Sequence, residues 1–316
     1  MKIVFLDRKS IRDEVVLTKP NFAHEWVEYD NTEIDEIIPR AADADVIITN
    51  KVPIRKEMLK SLLNLKMVAL TATGYNVVDV EDCRAQDIIV SNIRGYANAA
   101  VPEHVFALLL SLSRSIIPYN ADVKALRWSK ADMFTFFDYP VYDLAGKTMV
   151  IIGKGDLGNN VAKIAKAFGM HILFAEHKGA KQVRAGYTDF YATITKADVI
   201  SVHCPLFPET RDLLSTPEFK QMKNKPIIIN TARGGIVNEV DIKEALDKGW
   251  VAAYGTDVLS QEPPAADHPI MQICHYPNVL ITPHMAWASV EAVSILWAQL
   301  INNIENWHNG TPSNVV

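Results

Sequence analysis

Three ionisable residues late in the chain each stand a few positions beyond a short apolar run: Arg233 in INTARGG, Glu262 in TDVLSQEPP and His284 in ITPHMAW. If those runs are strands of an open α/β sheet, the three side chains emerge at its carboxyl edge, where such sheets bind ligands. A guanidinium grips a carboxylate through two parallel hydrogen bonds, so Arg233 suits an organic acid. On position alone, an ordinary surface arginine fits nearly as well. Asp257, at a strand end, could meet the nicotinamide end of a dinucleotide. A lone histidine is more often structural than catalytic. A His, a Glu and an Arg after consecutive strands on one edge are less easily dismissed.

The element that must position them begins at Thr148. TMVII reads as a buried parallel strand and runs into Gly153-Lys154-Gly155-Asp156-Leu157-Gly158, followed by a helical pattern to Phe168. Strand, G-x-G-x-x-G and helix together form the context of a dinucleotide fingerprint. Gly153 allows the tight turn, Gly155 admits the pyrophosphate and Gly158 lets helix and strand pack closely. Alone, the motif fits an ordinary βα turn equally well. The next strand ends at Glu176, 18 positions past Gly158. A carboxylate there accepts hydrogen bonds from ribose hydroxyls and repels a 2′-phosphate, favouring NAD over NADP. Lys178 would partly offset that preference.

The 316 residues suggest two domains at ~150 residues each. A hydrophobic share of 49% with 22% charged fits an ordinary globular chain able to bury a core. A net charge of −5 points away from nucleic acid and from an acidic membrane surface. The three cysteines, Cys83, Cys204 and Cys274, lack metal spacing and read as reduced thiols in a cytoplasmic protein. No apolar stretch suits a signal peptide or a membrane span.

Strand candidates at 2–6, 26–29, 46–49, 67–70 and 88–91 alternate with helical stretches at 33–41, 55–61 and 79–85, implying a parallel sheet covered on both faces. Val101–Ile117 reads as one long helix, apolar nearly all round, so buried between layers and crossing between domains. The aromatic segment 128–143 lacks periodicity and suits either a loop on its own domain or an arm on a second subunit. A second α/β series runs from Thr148, with strands at 149–152, 172–175, 199–203, 227–230, 252–256 and 279–281. The amphipathic helix 289–307 follows that sheet and is expected to return to the first domain. The division is therefore 1–98 plus 287–316, and 99–286, each a doubly wound parallel sheet.

GKGDLG, HCPLFPET, INTARGG, DVLSQEPP and ITPHMAWAS, in this order and spacing, resemble the D-isomer-specific 2-hydroxyacid dehydrogenase family. TATGYNVVD and VPEHVFALLL match as well, so the resemblance covers nearly the whole chain. AEHKGA, with ITNK near residue 50, is most similar to its glycerate dehydrogenase (hydroxypyruvate reductase) branch. The resemblance implies a flavodoxin-like substrate domain, a Rossmann NAD-binding domain and a homodimer.

It also implies roles. Arg233 would bind the substrate carboxylate and polarise the carbonyl, His284 would be the acid–base, and Glu262 would hold His284 and favour its imidazolium form. Thr73, Gly74 and Tyr75 would supply the carboxylate contacts, with Asn50 and Lys51 lining the same cleft, closed by domain movement. Asp156, Leu157, His203, Cys204, Pro205, Thr210, Thr231, Ala232, Asp257 and Ala286 would join the three glycines and Glu176 around the cofactor. The expected reaction is reduction of hydroxypyruvate or glyoxylate by NADH, with no metal. The competing expectations are a D-lactate or 2-ketogluconate type reductase and a non-catalytic NAD-sensing interaction protein. Many relatives carry Asp where this chain has Glu176 followed by His177 and Lys178.

Overall fold

The computed structural model describes residues 1–316, which divide into two compact units, Met1–Ala97 with Ala288–Val316, and Asn98–Trp287. The first contains β1 (Lys2–Phe5), β2 (Glu25–Glu28), α1 (Ile37–Ala41), β3 (Val46–Thr49), α2 (Lys56–Leu59), β4 (Met67–Leu70), α3 (Val80–Arg84) and β5 (Ile89–Ser91). All strands are parallel in the order β2-β1-β3-β4-β5, the flavodoxin-like order with its switch point between β1 and β3. β3 (VIIT) and β4 (MVAL) lie wholly buried, as central parallel strands covered on both faces must. Each such Val, Ile or Leu contributes about 1.5–3 kcal/mol by leaving water. The final helix, Val290–His308, is capped by the Ser289 side chain accepting from the Ala292 amide, and buries Trp297 against Phe5 at 5.6 Å between ring centroids. Beyond it, Val315 forms an antiparallel bridge to Ser91.

The second unit holds α4 (Ala100–Ser113), α5 (Ile116–Lys124), β6 (Thr148–Ile152), α6 (Asp156–Ala167), β7 (His171–Ala175), α7 (Phe190–Ile194), β8 (Val199–Val202), α8 (Thr216–Phe219), β9 (Ile227–Asn230), α9 (Asp241–Asp247), β10 (Ala253–Thr256) and β11 (Val279–Ile281). Its parallel sheet runs β11-β10-β9-β8-β6-β7. Beyond β7 the chain turns back and Thr188 makes an isolated parallel bridge to Ala175. Counting that bridge as a vestigial strand gives 3-2-1-4-5-6-7, the Rossmann order with β11 added at the far edge, and its crevice opens between β6 and β8.

Two expectations are corrected. The helix starting near Val101 stops at Ser113, because Ser115 adopts a left-handed backbone (φ 49°); α5 then departs at 62°. Nor does this helix cross between domains, since it lies wholly within the second unit. Val105, Phe106, Leu108 and Leu109 pack with Ile151 and Ile229 of the sheet and with Val161 and Ala165 of α6. Neighbours on two sides explain its all-round apolar surface. No single helix is long and apolar enough to cross a membrane. The segment after α5 has one 3₁₀ turn at Trp128–Lys130 and exposes Trp128, Met133, Phe134 and Phe137.

Candidate active site

In the second unit, Asn230 of β9 lies beside Thr256 of β10, which lies beside Ile281 of β11. The register ends these three adjacent strands level, so the loops bearing Arg233, Glu262 and His284 leave from one edge. His284 Nδ1 meets Glu262 Oε2 at 2.5 Å, and Glu262 Oε1 accepts from the Leu259 amide at 2.8 Å. Both carboxylate oxygens are thereby fixed. A carboxylate on Nδ1 sets the ring orientation and leaves Nε2 as the outward nitrogen. His284 itself sits at φ 52°, a left-handed conformation uncommon outside glycine but one that His, Asn and Asp adopt more readily than most. It is held there by Trp287 Nε1, which donates to its carbonyl at 2.9 Å. A cavity of about 960 Å³ beside the pair is lined by Glu262, His284, Asp257, Pro263, Tyr276 and Ile117.

Arg233 is exposed, and its Nη1 donates to the neighbouring Ala232 carbonyl at 2.7 Å. The loop bearing it is set by Gly234. A Cβ there would come within 1.9 Å of the Leu259 carbonyl carbon, so the loops carrying Arg233 and Glu262 touch backbone to backbone.

Asp257 is buried and fully engaged. Oδ1 accepts from Thr282 Oγ1 (2.6 Å) and the Met285 amide (2.9 Å), while Oδ2 accepts from the Ala286 amide (2.8 Å). It pins both feet of the arch that carries His284. Sequence reasoning missed His104 on α4, whose Nε2 lies 2.9 Å from Thr282 Oγ1. It also missed Glu239, which accepts from Ser260 and stands 3.1 Å from His268 Nε2, tethering the Glu262 loop from behind. His104 lies in the VPEHVFALLL stretch, which reads only as an apolar helix, and Glu239 lies in no motif; only the folded chain brings the two in.

The glycine turn fits a dinucleotide. A Cβ on Gly153 would strike the His203 backbone at 2.6 Å, and one on Gly158 the Gly153 carbonyl oxygen at 2.1 Å, so both positions exclude side chains. Gly155, by contrast, faces open space and caps α6 with no side-chain partner, leaving the first-turn amides to an anion. Along the same edge, Thr231 Oγ1 and His203 Nδ1 are buried without a partner. Burial pushes the His203 ring down to about 4, so it is neutral near pH 7, and raises the Cys204 thiol to about 11. Thr210 Oγ1 folds back onto the Pro205 carbonyl at 2.7 Å.

Glu176 departs from the simple expectation. Its buried carboxylate is clamped by Arg184, with Nη2 at 2.6 Å and Nε at 2.8 Å, and by the amides of His177 and Arg184. Lys178 instead pairs with Glu218 at 2.9 Å. The Arg184 hydrogen bonds hold the Glu176 carboxyl down to about 2, from an ordinary value of 4.5. Because the folded value is the lower one, the stability this pair contributes is complete above pH 4.5 and is lost as pH falls toward 2. Glu176→Gln is expected to flatten the decline of the urea midpoint across that interval. Equal slopes for the two proteins would show that the pair adds nothing.

In the first unit, Asp7 beyond β1 accepts from the amides of Asn50 (2.9 Å) and Lys51 (2.7 Å), which fixes the turn after β3. Burial pushes the Asp7 carboxyl up, and those amides pull it back. Thr73 Oγ1 donates to the Ile93 carbonyl at 2.7 Å, and Tyr75 is half exposed. Asn50, Lys51, Thr73, Gly74 and Tyr75 thus stand at the carboxyl edge of that unit's own sheet.

The sheet order and the glycine turn define a Rossmann-type nucleotide-binding class. Residues 106–286 match the model of the D-isomer specific 2-hydroxyacid dehydrogenase NAD-binding domain. The chain is 44% identical over 316 residues to the glycerate dehydrogenase of Methylorubrum extorquens, covering 100% of this chain and 98% of that one. It is 38% identical to the hydroxypyruvate reductase of Blautia hydrogenotrophica, covering 92% of each. The crystal structure of D-lactate dehydrogenase with NAD+ from Lactobacillus jensenii superposes with a TM-score of 0.81 at 27% identity, over 100% of this chain and 99% of that one. The chain belongs to the D-isomer specific 2-hydroxyacid dehydrogenase family. It is an oxidoreductase of the CH–OH group with an NAD-binding domain.

Proposed function

We propose that this chain reduces hydroxypyruvate and glyoxylate to D-glycerate and glycolate with NADH. The observation that carries the chemistry is the 2.5 Å contact between Glu262 and His284 at the edge of the NAD-type sheet. Bound NADH supplies the hydride. His284 gives the proton to the carbonyl oxygen from Nε2 while Glu262 holds Nδ1, and takes it back in the oxidation. Arg233 grips the substrate carboxylate and draws charge from the adjacent carbonyl. The same reading assigns substrate contacts to Asn50, Lys51, Thr73, Gly74 and Tyr75. It assigns cofactor contacts to Gly153, Gly155, Asp156, Leu157, Gly158, His203, Cys204, Pro205, Thr210, Thr231, Ala232 and Ala286. The substrate choice is supported by the relatives from Methylorubrum and Blautia.

The decisive assay follows NADH oxidation with hydroxypyruvate, glyoxylate, pyruvate and 2-ketogluconate side by side. Highest kcat/KM on hydroxypyruvate or glyoxylate is expected; preference for pyruvate or 2-ketogluconate would move the chain to another branch. Tight NADH binding without turnover on any of them would make it a sensor. Arg233→Ala is expected to raise KM and lower kcat, for a combined loss of about 10²-fold, the scale of a lost charged hydrogen-bond pair. Normal kinetics in that variant would remove Arg233 from the site. A cytoplasmic location belongs to the same reading, as does a homodimer, which the apolar side chains exposed on 128–137 support; gel filtration tests the dimer.

A further inference from the structure

The corner where the adenosine ribose belongs in a Rossmann unit is built here around an ion pair. Glu176 Oε1 accepts from the His177 amide (2.8 Å) and from Arg184 Nε (3.0 Å) and Nη2 (2.6 Å). Oε2 accepts from the Arg184 amide (2.9 Å) and Nε (2.8 Å). A carboxylate offers about four acceptor directions, so these contacts consume what ribose hydroxyls would use. Its charge is likewise matched before any cofactor arrives.

Arg184 is 51% exposed along its side chain and lies 4.1 Å over the Tyr187 ring. Lys154, inside the glycine turn, places Nζ 5.0 Å from the same ring and 3.4 Å from the Gly186 carbonyl. One tyrosine therefore gathers two cations between the phosphate turn and the ribose corner. Lys178, the cation closest to Glu176 in sequence, is occupied by Glu218. Summed over Glu176, Arg184 and Lys154, the corner carries one net positive charge. A bare acid at this position would turn away a 2′-phosphate, whereas an arginine accommodates one.

We propose that Arg184, supported by Lys154, is a cofactor-selectivity residue: it cancels Glu176 and lets this enzyme accept NADPH as well as NADH. This rests on the reading that the Gly153–Glu176 stretch holds the adenosine end of the cofactor. The residue closest in spacing to the usual ribose acid is thus a tether for the arginine that reads the 2′ position.

Calorimetric titration with 5′-AMP and with adenosine 2′,5′-bisphosphate separates the two levels, alongside kcat/KM for NADH and NADPH on hydroxypyruvate. Wild type is expected to bind the bisphosphate at least as tightly as AMP. Arg184→Gln leaves Glu176 uncancelled and is expected to weaken the bisphosphate relative to AMP by about tenfold or more, with the NADPH/NADH ratio falling in parallel, the scale of a charge-assisted contact. Arg184→Lys, which keeps the charge, should retain most of the bisphosphate affinity, and Lys154→Gln should lose part of it; these two carry the test if the Gln variant does not fold. Wild type binding the bisphosphate more than about tenfold more weakly than AMP would overturn the proposal, as would a charge-removing variant that changes both nucleotides equally. Binding of neither nucleotide would overturn the cofactor reading underneath it.

Discussion

His284→Asn is expected to lose about 10²–10⁴-fold in kcat, the range that a positioned acid–base contributes, while NADH affinity stays near that of wild type. Asparagine is the appropriate replacement because His284 occupies a left-handed backbone position (φ 52°) that Asn also tolerates. The loop then keeps its path and only the proton carrier disappears. Alanine or valine would mix backbone strain with lost chemistry. NADH binding is read by fluorescence titration and turnover by absorbance on hydroxypyruvate. Turnover within a few-fold of wild type would end the acid–base assignment.

The second large effect belongs to a residue with no side chain. At Gly234, a Cβ would meet the Leu259 carbonyl carbon at 1.9 Å and the Ser260 nitrogen at 2.2 Å, all of it backbone that cannot rotate away. Gly234→Ala must push apart the loops of Arg233 and Glu262. Such overpacking costs about 1–3 kcal/mol or more, and a displacement near 1 Å at a reacting group costs about 10²-fold in rate. The variant is expected to lose about that much kcat/KM while Tm falls by about 2–4 °C per kcal/mol, a slope for units of this size. Unchanged Tm with full activity would show that the two loops are not in register through this contact.

The glycine turn, the buried strands of both sheets and the Arg–Glu–His set are local patterns: an apolar run, a fixed spacing, an ionisable group just past a strand. Those features can be read from neighbours in sequence. The break at Ser115 could not, because the apolar pattern continues through it and only a left-handed residue ends α4. Thr188 gave no strand signal, since its single bridge has no periodicity. The largest gap concerned charge. Glu176 was legible as an acid at the right place, but its partner lies eight residues on across a loop, and Lys178 was the nearer candidate. The role of Asp257 was similarly hidden, because its three donors lie 25–29 residues ahead. Spacing locates a group; its partners, which decide what it can still bind, are set by tertiary contacts.

The arch over Asp257 has one more consequence. β11 is the outermost strand of its sheet, paired only with β10 over Tyr254–Thr256. His284 rides on the loop that leaves this short edge ladder, and the Thr282, Met285 and Ala286 bonds to Asp257 act as its outer hinge pins. Local unfolding starts in elements with few buried contacts and solvent-exposed backbone hydrogen bonds. Asp257 is therefore the clasp that ties the His284 loop to the sheet beyond a three-residue edge strand.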